Sequence, residues 1–366
     1  MDEAGSFYRN DDRDRRGTHV ALRWNGRLRF TVPRQSAAQA ACWRTFRPGP
    51  IEYPLRAMTR LPRLFGAVRC VEAARLISIR EAIGPEAGLS CCRDGGPGVW
   101  SKDTILLLDR AANKPLYIVK AGFGEPIDSL LQNEASWLQD MRARQSLAHH
   151  IPDLVFHRYG ADSPFIVQRV LSGRLDDRLG DAQFDFLQKF QKQYSQTIRF
   201  EESKLYKDLL SRLKDLRGRL AATWSARLDT ALGRIERSLC GSPILMVAAH
   251  NDFTPWNIRV EDGVAQVFDW EYARQEQLPL FDPLHFTLMP MALTRHRQTK
   301  MVQTLKEMLQ LCNLRFGKEY CYEAETQALA YFIHICTLFL WGVRGEAVSH
   351  PVLDSYARVI DHACRI

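Results

Sequence analysis

The sequence has no apolar run long enough to cross a bilayer and no apolar segment near its start. The most apolar run, YFIHICTLFLW at 331–341, is about half as long as a transmembrane helix must be. The opening residues, MDEAGSFYRNDDRDRRGTHV, contain no apolar core of the kind found in signal peptides. These absences predict a soluble, cytoplasmic protein without a membrane partner.

Paired cysteine motifs and long blocks of one charge are also missing. The nine cysteines are scattered, odd in number and never spaced as CxxC, which argues against a disulfide framework or a zinc site. They are predicted to be reduced and to serve as small apolar side chains. The net charge is +8, but the basic residues form no tail, so nucleic acid is not an expected partner.

Length and pattern divide the 366 residues into three predicted regions, since one core rarely serves so long a chain. Residues 1–73 form an extension with a loose tail, a β-hairpin at 20–32 around an Asn-Gly turn, and a proline-rich connector. Residues 74–171 are rich in strands, and residues 172–366 are mainly helical. No internal repeat is present.

Region 74–171 contains four strand-like segments and one helical segment. The strand-like segments are LISIREAIG, DTILLLD, PLYIVK and FIVQRVL, and the helical one is DSLLQNEASWLQDM. Asp128 is the predicted N-cap of the helix. One helical face carries Leu130, Leu131, Glu134, Trp137, Leu138 and Met141. A glycine-rich stretch, GPEAGLSCCRDGGPG, separates the first two strand-like segments and offers Gly84, Gly88, Gly95, Gly96 and Gly98.

Region 172–366 begins with a long helical pattern at 183–239. Large apolar residues recur there every three or four positions: Leu209, Leu213, Leu216, Leu220, Trp224, Leu228, Leu232, Ile235 and Leu239. We interpret this stripe as core packing rather than as a coiled-coil interface. His285 and His334 lie in apolar surroundings and are predicted to be core histidines.

The segment HNDFTPWN at 250–257 carries the strongest chemical signal. A turn signature, Glu-Asp-Gly at 261–263, follows it, and then an apolar strand leads to Asp269. If the two flanking strands pair, with Val260 opposite Val264, Asn257 faces about residue 267 and Asp269 lies nearby. Carboxylate and amide oxygens are ligands that Mg²⁺ prefers.

We therefore predict that Asn257 and Asp269 hold Mg²⁺. Asp252 would remain able to accept a proton from an attacking hydroxyl or to orient that hydroxyl. His250 is too close along the chain to be an independent ligand, and we expect it to brace the loop by hydrogen bonding.

A second signal lies in region 74–171. Lys120 ends an apolar strand, and Glu134 follows fourteen residues later on the apolar face of the predicted helix. A carboxylate on such a face is costly unless it is paired, so Lys120 is its expected partner. A lysine held in this way can present its ammonium group to the α- and β-phosphates of a nucleotide.

Taken together, LYIVK, NEASWL, HNDFTPWN and FDWEYA resemble the aminoglycoside phosphotransferase and choline kinase group of the protein-kinase-like superfamily. The motif HxDxxxxN, then a hairpin, then D-x-[DE], matches His250, Asp252, Asn257, Asp269 and Glu271. The likeness covers about 75–290. It departs at Asn251, where the family usually has glycine, and in the glycine stretch, which has no regular GxGxxG.

The resemblance implies an α+β, bilobal protein-kinase-like fold with a small β-rich N-lobe and a larger, mainly helical C-lobe. It also implies transfer of phosphate from ATP, with Mg²⁺, to a small-molecule hydroxyl. In that case Asp252, together with His250, is catalytic, Asn257 and Asp269 bind metal, and Lys120 paired with Glu134 contacts phosphate. The segment from Ile166 to Leu171 would be the hinge that meets adenine, with Gln168 and Val170 as its contacts.

Several alternatives stay open at this point. The chain could be a catalytically inactive nucleotide-binding module with a regulatory role. The acceptor could be a sugar, an amino sugar, an aminoglycoside or an amino alcohol, and the oligomeric state is not determined. Glu271 could be a surface carboxylate, a group behind the metal or a substrate contact. Trp256, Trp270 and Tyr272 are expected to pack under the catalytic loop rather than to form a cage for a quaternary ammonium group, and Asp282 is expected to brace the site or cap a helix.

Overall fold

The computed structural model describes most of the chain, and the chain divides into two compact units. The described residues are 7–10, 18–24, 27–46, 68–95, 101–122, 124–160, 164–294, 300–342 and 350–365. Unit 1 consists of Met1–Asp140 and Pro152–Leu171, and unit 2 consists of Met141–Ile151 and Ser172–Ile366. The proline-rich connector expected at 46–66 lies outside the described residues from 47 onward.

Unit 1 is built on an antiparallel sheet in the order β1-β4-β2-β3-β5-β6-β7-β9-β8. Its strands are β1 (Tyr8–Asn10), β2 (His19–Trp24), β3 (Arg27–Pro33), β4 (Val68–Glu72), β5 (Ala87–Arg93), β6 (Asp103–Asp109), β7 (Pro115–Ala121), β8 (Leu154–Arg158) and β9 (Phe165–Arg169). Among its described residues the helices are α1 (Ser36–Phe46), α2 (Ala74–Ile83) and α3 (Ile127–Arg142).

The predicted hairpin at 20–32 is present as β2 and β3, with Val20 opposite Val32, while its Asn-Gly turn lies outside the described residues. β3 pairs with β5, so this hairpin belongs to the same sheet as the strands from residue 87 onward. The predicted strands DTILLLD, PLYIVK and FIVQRVL are confirmed as β6, β7 and β9. In the sheet, Lys120 of β7 lies between Thr104 and Ile166.

The strand predicted at LISIREAIG is wrong. LISIREAIG is helical, because the buried residues Leu76 and Ile79 are three apart and the intervening Ile77 is exposed, a helical rather than a strand period. Part of the glycine-rich stretch is strand β5. Gly88 is required there because a Cβ atom would lie 2.8 Å from the Cα of Arg110 on the neighbouring chain segment.

Helix α3 has the predicted apolar face, and all six of its residues are buried, including Glu134. Asp128 is not the N-cap, because the helix begins one residue earlier, at Ile127. The carboxylate of Asp128 instead accepts the backbone N–H of Gly160, at 3.2 Å from Oδ2. The negative charge still lies in the first turn, where it complements the helix dipole.

Unit 2 is mainly helical. Its helices are α4 (Asp181–Gln193), α5 (Lys204–Leu216), α6 (Ala222–Leu239), α7 (Phe281–Leu293), α8 (Met301–Phe316), α9 (Ala324–Gly342) and α10 (Pro351–Arg365). Its strands are β10 (Arg174–Leu175), β11 (Gln196–Arg199), β12 (Pro243–Ala249), β13 (Ile258–Glu261), β14 (Val264–Val267) and β15 (Arg274–Gln277). They form two three-stranded sheets, β10-β13-β14 and β11-β12-β15.

The long helical pattern predicted at 183–239 is interrupted. Strand β11 separates α4 from α5 because its residues pair with β12, with Gln196 opposite Met246. The leucine stripe nevertheless packs as predicted. Leu209, Leu228 and Ile235 are at most 1% exposed and belong to the main hydrophobic core of unit 2, so the stripe is core rather than a coiled-coil interface.

Two further observations bear on the composition. Seven of the nine cysteines are buried, as expected of cysteines used as small apolar side chains. In the part of the chain that the structure describes, no helix is both long enough and apolar enough to span a membrane.

Candidate active site

The segment 250–269 follows β12 and runs through the β13–β14 hairpin. Asp262 and Gly263 have φ angles of 50° and 79°, as a two-residue type I′ turn requires. The register pairs Glu261 with Val264 and Ile258 with Val267, one residue away from the predicted register. The N–H of Phe268 donates to the carbonyl of Asn257 at 3.1 Å, and Asp269 follows directly.

Asp252 and Asn257 are joined by hydrogen bonds. The Nδ2 group of Asn257 donates to Oδ2 of Asp252 at 2.7 Å and to its backbone carbonyl at 3.0 Å. The amide is therefore oriented with Nδ2 toward Asp252, and its Oδ1 faces another direction. The side chain of Asp252 is 28% exposed, so its carboxylate is accessible to solvent and to a small molecule.

His250 is completely buried and braces the loop, as the sequence indicated. Its Nδ1 accepts the N–H of Asp252 at 3.2 Å, and its Nε2 donates to the carbonyl of Phe268 at 3.1 Å. Burial lowers its pKa, although Asp282, Asp252 and Asp269 act in the opposite direction. The ring is thus held neutral, and it ties Asp252 to the residue that precedes Asp269.

Asp282, at the start of α7, holds the entry to this loop. Its carboxylate accepts the backbone N–H groups of His250 at 2.7 Å and Asn251 at 3.0 Å, which is the bracing role considered for it. Asn251 has a φ angle of 62°. Glycine and asparagine are the residues that tolerate this left-handed conformation best. Asparagine can therefore occupy this position, where the family that the sequence resembles usually has glycine.

Asp269 adopts a strained backbone conformation, with φ 73° and ψ 54°, which costs a non-glycine residue about 1 kcal/mol or more. The short 3₁₀ helix Trp270–Tyr272 follows it, with Trp270 fully buried. Burial, then Asp269 and Asp252, raise the pKa of Tyr272, so both carboxylates act on the same hydroxyl. Asp269 directly follows Phe268, whose N–H is bound to Asn257, and Asn257 is in turn bound to Asp252.

The aromatic residues near the loop divide into two groups. Trp270 is packed against His250, with ring centroids 4.6 Å apart, as expected for a residue under the loop. Trp256 and Tyr272 are 44% and 39% exposed, which the packing interpretation did not anticipate. Glu271 is buried, at 5% exposure, so it is not a surface carboxylate.

The sequence missed one residue at this site. His285 was predicted to be a core histidine, and it is buried, but its Nε2 lies 3.4 Å from Oδ1 of Asp252. Its Nδ1 lies 3.3 Å from the hydroxyl of Tyr331, which is 2.9 Å from the hydroxyl of Tyr356. The signal was available, because His285 follows Asp282 by three positions on α7 and so shares its helical face.

In unit 1, the predicted pair of Lys120 and Glu134 forms. The Nζ of Lys120 lies 2.6 Å and 2.8 Å from the two carboxylate oxygens of Glu134. Gln168 of β9 also donates to Oε1 of Glu134, at 2.7 Å. Lys120 is 7% exposed and Glu134 is fully buried, so the position of the ammonium group is fixed by the carboxylate.

In the predicted hinge, from Ile166 to Leu171, backbone N–H groups already donate hydrogen bonds to other residues of unit 1. The N–H of Arg169 donates to the carbonyl of Asp153, and the N–H of Val170 donates to the carbonyl of Leu116 at 3.0 Å. The side chain of Gln168 is engaged with Glu134. A contact from Val170 to an adenine ring would therefore come from its carbonyl rather than from its N–H. Of the candidate phosphate-binding glycines, Gly84 ends α2, Gly88 lies in β5, and Gly96 and Gly98 are outside the described residues.

Comparisons with known proteins connect this geometry to a fold. The chain is similar to a thermostable mutant of aminoglycoside phosphotransferase APH(4)-Ia in its apo form, with 13% identity, a TM-score of 0.50, and coverage of 75% of this chain and 94% of that chain. It is also similar to a choline/ethanolamine kinase family protein from Mesorhizobium loti, with 14% identity, a TM-score of 0.51, and coverage of 77% and 89%.

At such low identity the likeness shows the fold alone. The α+β, protein-kinase-like fold expected from the sequence is confirmed, with a β-sheet N-terminal region and a helical C-terminal region. No protein-family model matches the chain. No curated protein matches it in sequence either.

Proposed function

We propose that this protein is a phosphotransferase that moves the γ-phosphoryl group of ATP to a hydroxyl of a small molecule, with Mg²⁺ as cofactor. The observation that carries the proposal is the local geometry of unit 2. One braced loop and one hairpin bring together an accessible carboxylate, Asp252, an oriented amide, Asn257, and a second carboxylate on a strained backbone, Asp269. This set of oxygens suits phosphoryl transfer, in which the protein mainly positions groups and balances charge.

Asp252 acts on the acceptor in this proposal. The acceptor oxygen forms a bond to the γ-phosphorus, the bond from that phosphorus to the β,γ-bridging oxygen breaks, and its electrons leave with ADP. The proton of the acceptor hydroxyl passes to the carboxylate of Asp252. General base catalysis of this kind contributes about 10²- to 10⁴-fold to the rate.

Asn257 and Asp269 are the residues that would hold Mg²⁺. They fit the ion because both offer hard oxygen atoms, and because the hydrogen bonds from Nδ2 of Asn257 to Asp252 leave its Oδ1 facing elsewhere. When bound, Mg²⁺ neutralises charge on the phosphate oxygens. His250 and Asp282 support this set through the backbone and are not expected to touch substrate.

In unit 1, Lys120 is assigned to nucleotide phosphates. Its ammonium group is held by both oxygens of Glu134, and a buried ion pair of this kind is more readily explained by function than by stability. Gln168 and Val170 are proposed to lie beside the adenine. The two similar solved structures are of an aminoglycoside phosphotransferase and of a choline/ethanolamine kinase family protein, which supports the reaction type by analogy of fold.

A library of small hydroxyl compounds, screened for ADP release from Mg·ATP, tests the proposal. The expected result is Mg²⁺-dependent turnover with at least one acceptor, and its loss in Asp252→Ala, which serves as the blank. Nucleotide binding should persist in that variant, because Asp252 acts in the chemical step. Asp269→Ala should instead weaken the binding of Mg·ATP itself.

Two results would contradict these assignments. Turnover by Asp252→Ala at the parent rate would remove the proposed base. A thermal shift with Mg·ATP but no turnover with any acceptor would favour an inactive, nucleotide-binding regulatory module.

A further inference from the structure

Three basic side chains converge in unit 2, on elements distinct from the catalytic loop. Arg212 of α5 donates from Nη2 to Nδ1 of His334 on α9, at 3.0 Å, and from Nε to the hydroxyl of Thr337, at 3.3 Å. Arg274 belongs to β15, which packs against α5. Burial, Arg212, His285 and Arg274 together hold the pKa of His334 well below its usual value. We refer to Arg212, Arg274 and His334 as the basic cluster.

The charge of the basic cluster is poorly balanced. Within the described residues, no carboxylate lies within 4.0 Å of either guanidinium group. Asp208, one turn before Arg212, raises the pKa of both arginines, but it is exposed and burial outweighs it. Burial lowers the pKa of Arg212 to about 10. Both arginines are partly buried, and removing a cation from water costs free energy unless a partner compensates it, so an anion from outside the chain would complete this site.

The basic cluster is connected to Asp252 along α9. Tyr331 and His334 are three positions apart and therefore lie on one face of the helix, one turn from each other. The hydroxyl of Tyr331 reaches His285, and His285 reaches Asp252. His334 is therefore linked to Asp252 through one turn of α9 and the contacts of Tyr331 and His285.

A second connection to the catalytic loop runs through β15. Arg274 follows Tyr272 by two residues, and the pKa of Tyr272 is raised first by burial and then by Asp269 and Asp252, while Arg274 lowers it. The field of Arg274 therefore reaches the same aromatic side chain as the fields of both site carboxylates. Two independent elements thus place positive charge within reach of a molecule bound at Asp252.

The carboxylates that a cationic acceptor would need are already engaged. Asp282 is buried and accepts the N–H groups of His250 and Asn251. Glu276 accepts the N–H of Lys204 at 2.5 Å. Glu271 is buried. Asp282 and Glu276 are therefore occupied by backbone N–H groups, which reduces the negative charge available to a polycation at Asp252.

We propose that Arg212, Arg274 and His334 bind an anionic group, a carboxylate or a phosphate, on the hydroxyl compound that accepts the phosphoryl group. The inference rests on the proposed function, because the hydroxyl must lie at Asp252. The acceptor is therefore a hydroxy acid or a hydroxyalkyl phosphate.

Matched pairs of acceptors test this. D-glycerate, 4-hydroxybutyrate and glycerol 3-phosphate are compared with glycerol and 1,4-butanediol, as acceptors for Mg·ATP and as ligands that raise the Tm of the Mg·ADP-loaded protein. We expect at least one anionic compound to be phosphorylated and bound in preference to its neutral partner. Arg212→Gln and Arg274→Gln should each raise KM for that compound about 10- to 100-fold, the loss of a charged hydrogen bond, with a much smaller change in kcat.

Arg219→Gln is the control, because it removes the same charge from an exposed position just beyond α5. The inference is overturned if Arg219→Gln loses as much as the cluster variants, if neutral partners are preferred, or if no anionic probe is bound or phosphorylated. Preference for neutral acceptors together with intact turnover would contradict the anion site but not the proposed function. An anion-dependent Tm shift that needs Arg212 and Arg274, in a protein without turnover, would support the anion site while contradicting the proposed function.

Discussion

Two carboxylates in this molecule are used in opposite ways. Glu134 in unit 1 is fully buried, and its oxygens accept three hydrogen bonds from Lys120 and Gln168. Asp252 in unit 2 is 28% exposed, with one oxygen bound to the amide of Asn257 and the other 3.4 Å from His285. The first carboxylate is saturated by the fold, and the second remains accessible.

This difference teaches how to separate a positioning group from a reacting group. A saturated buried carboxylate can fix a cation but has little capacity to accept a further proton. A carboxylate that is oriented but accessible can accept one. Removing Glu134 should therefore cost stability as well as the placement of Lys120, and removing Asp252 should cost activity with little change in stability.

Glu134→Ala should cause the largest change in stability among these tests. It leaves the ammonium group of Lys120 buried without its carboxylate, so the free energy of unfolding should fall by about 3–5 kcal/mol. Chemical denaturation measures it. A double variant, Lys120→Met with Glu134→Leu, should recover most of the loss, because replacing both charges by apolar groups is often neutral. A loss below about 1 kcal/mol in Glu134→Ala would show that the pair is not buried as described.

His150 extends the comparison to a buried base in unit 2. Its Nδ1 lies 2.7 Å from the carbonyl of Ala265 in the β13–β14 hairpin, and the residue is 1% exposed. Burial lowers its pKa from 6.5 to about 4. In the unfolded chain His150 becomes protonated below about pH 6.5, whereas in the folded chain it stays neutral until about pH 4.

Stability should consequently fall on acidification across this window, by about 1–3 kcal/mol from this residue. Urea denaturation between pH 7 and pH 4 provides the measurement. His150→Asn keeps a donor for Ala265 and does not titrate, so its stability should decline less steeply with pH than that of the parent. Equal slopes would mean that His150 is not held neutral in the fold.

Some of the fold and site could be predicted from the sequence because the relevant contacts are local or periodic. The hairpin 258–267 follows from its turn residues and alternation, and the pairing of Lys120 with Glu134 follows from an acid on an apolar helical face. The strand predicted at 76–83 failed because a short apolar run does not distinguish helix from strand without its burial pattern.

The basic cluster could not be predicted for a different reason, whereas His285 was overlooked although its spacing from Asp282 was visible. Arg212, Arg274 and His334 belong to three separate elements, and their proximity arises only when α5, β15 and α9 pack together. His285 looked like a core residue because its neighbours in sequence are apolar. Long-range packing decides which buried polar groups meet, and a sequence pattern carries little of that information.

His285→Asn tests whether the accessible carboxylate depends on an orienting neighbour. Asparagine is shorter than histidine and should not span the 3.4 Å between His285 and Asp252 together with the contact to Tyr331. We expect kcat to fall about tenfold through misorientation of Asp252, with KM for Mg·ATP unchanged. Tyr356→Phe, which alters the far end of the same chain of contacts, should have a smaller effect. A purely structural role would instead lower Tm in both variants and leave kcat of the folded fraction intact.

Asp252→Asn should have the smallest effect on stability, and for that reason it is the sharpest test of the comparison. Asparagine has nearly the same shape, and the change removes one of three carboxylates, with Asp269 and Asp282, whose fields act together on His250. The unfolding free energy should change by no more than about 1 kcal/mol, and relief of like-charge repulsion could raise it, as at other sites where function opposes stability. Chemical denaturation of Asp252→Asn and Glu134→Ala under the same conditions compares their unfolding free energies. If Asp252→Asn destabilises as much as Glu134→Ala, then both carboxylates hold the fold together, and the accessibility of Asp252 no longer distinguishes a reacting group from a positioning one.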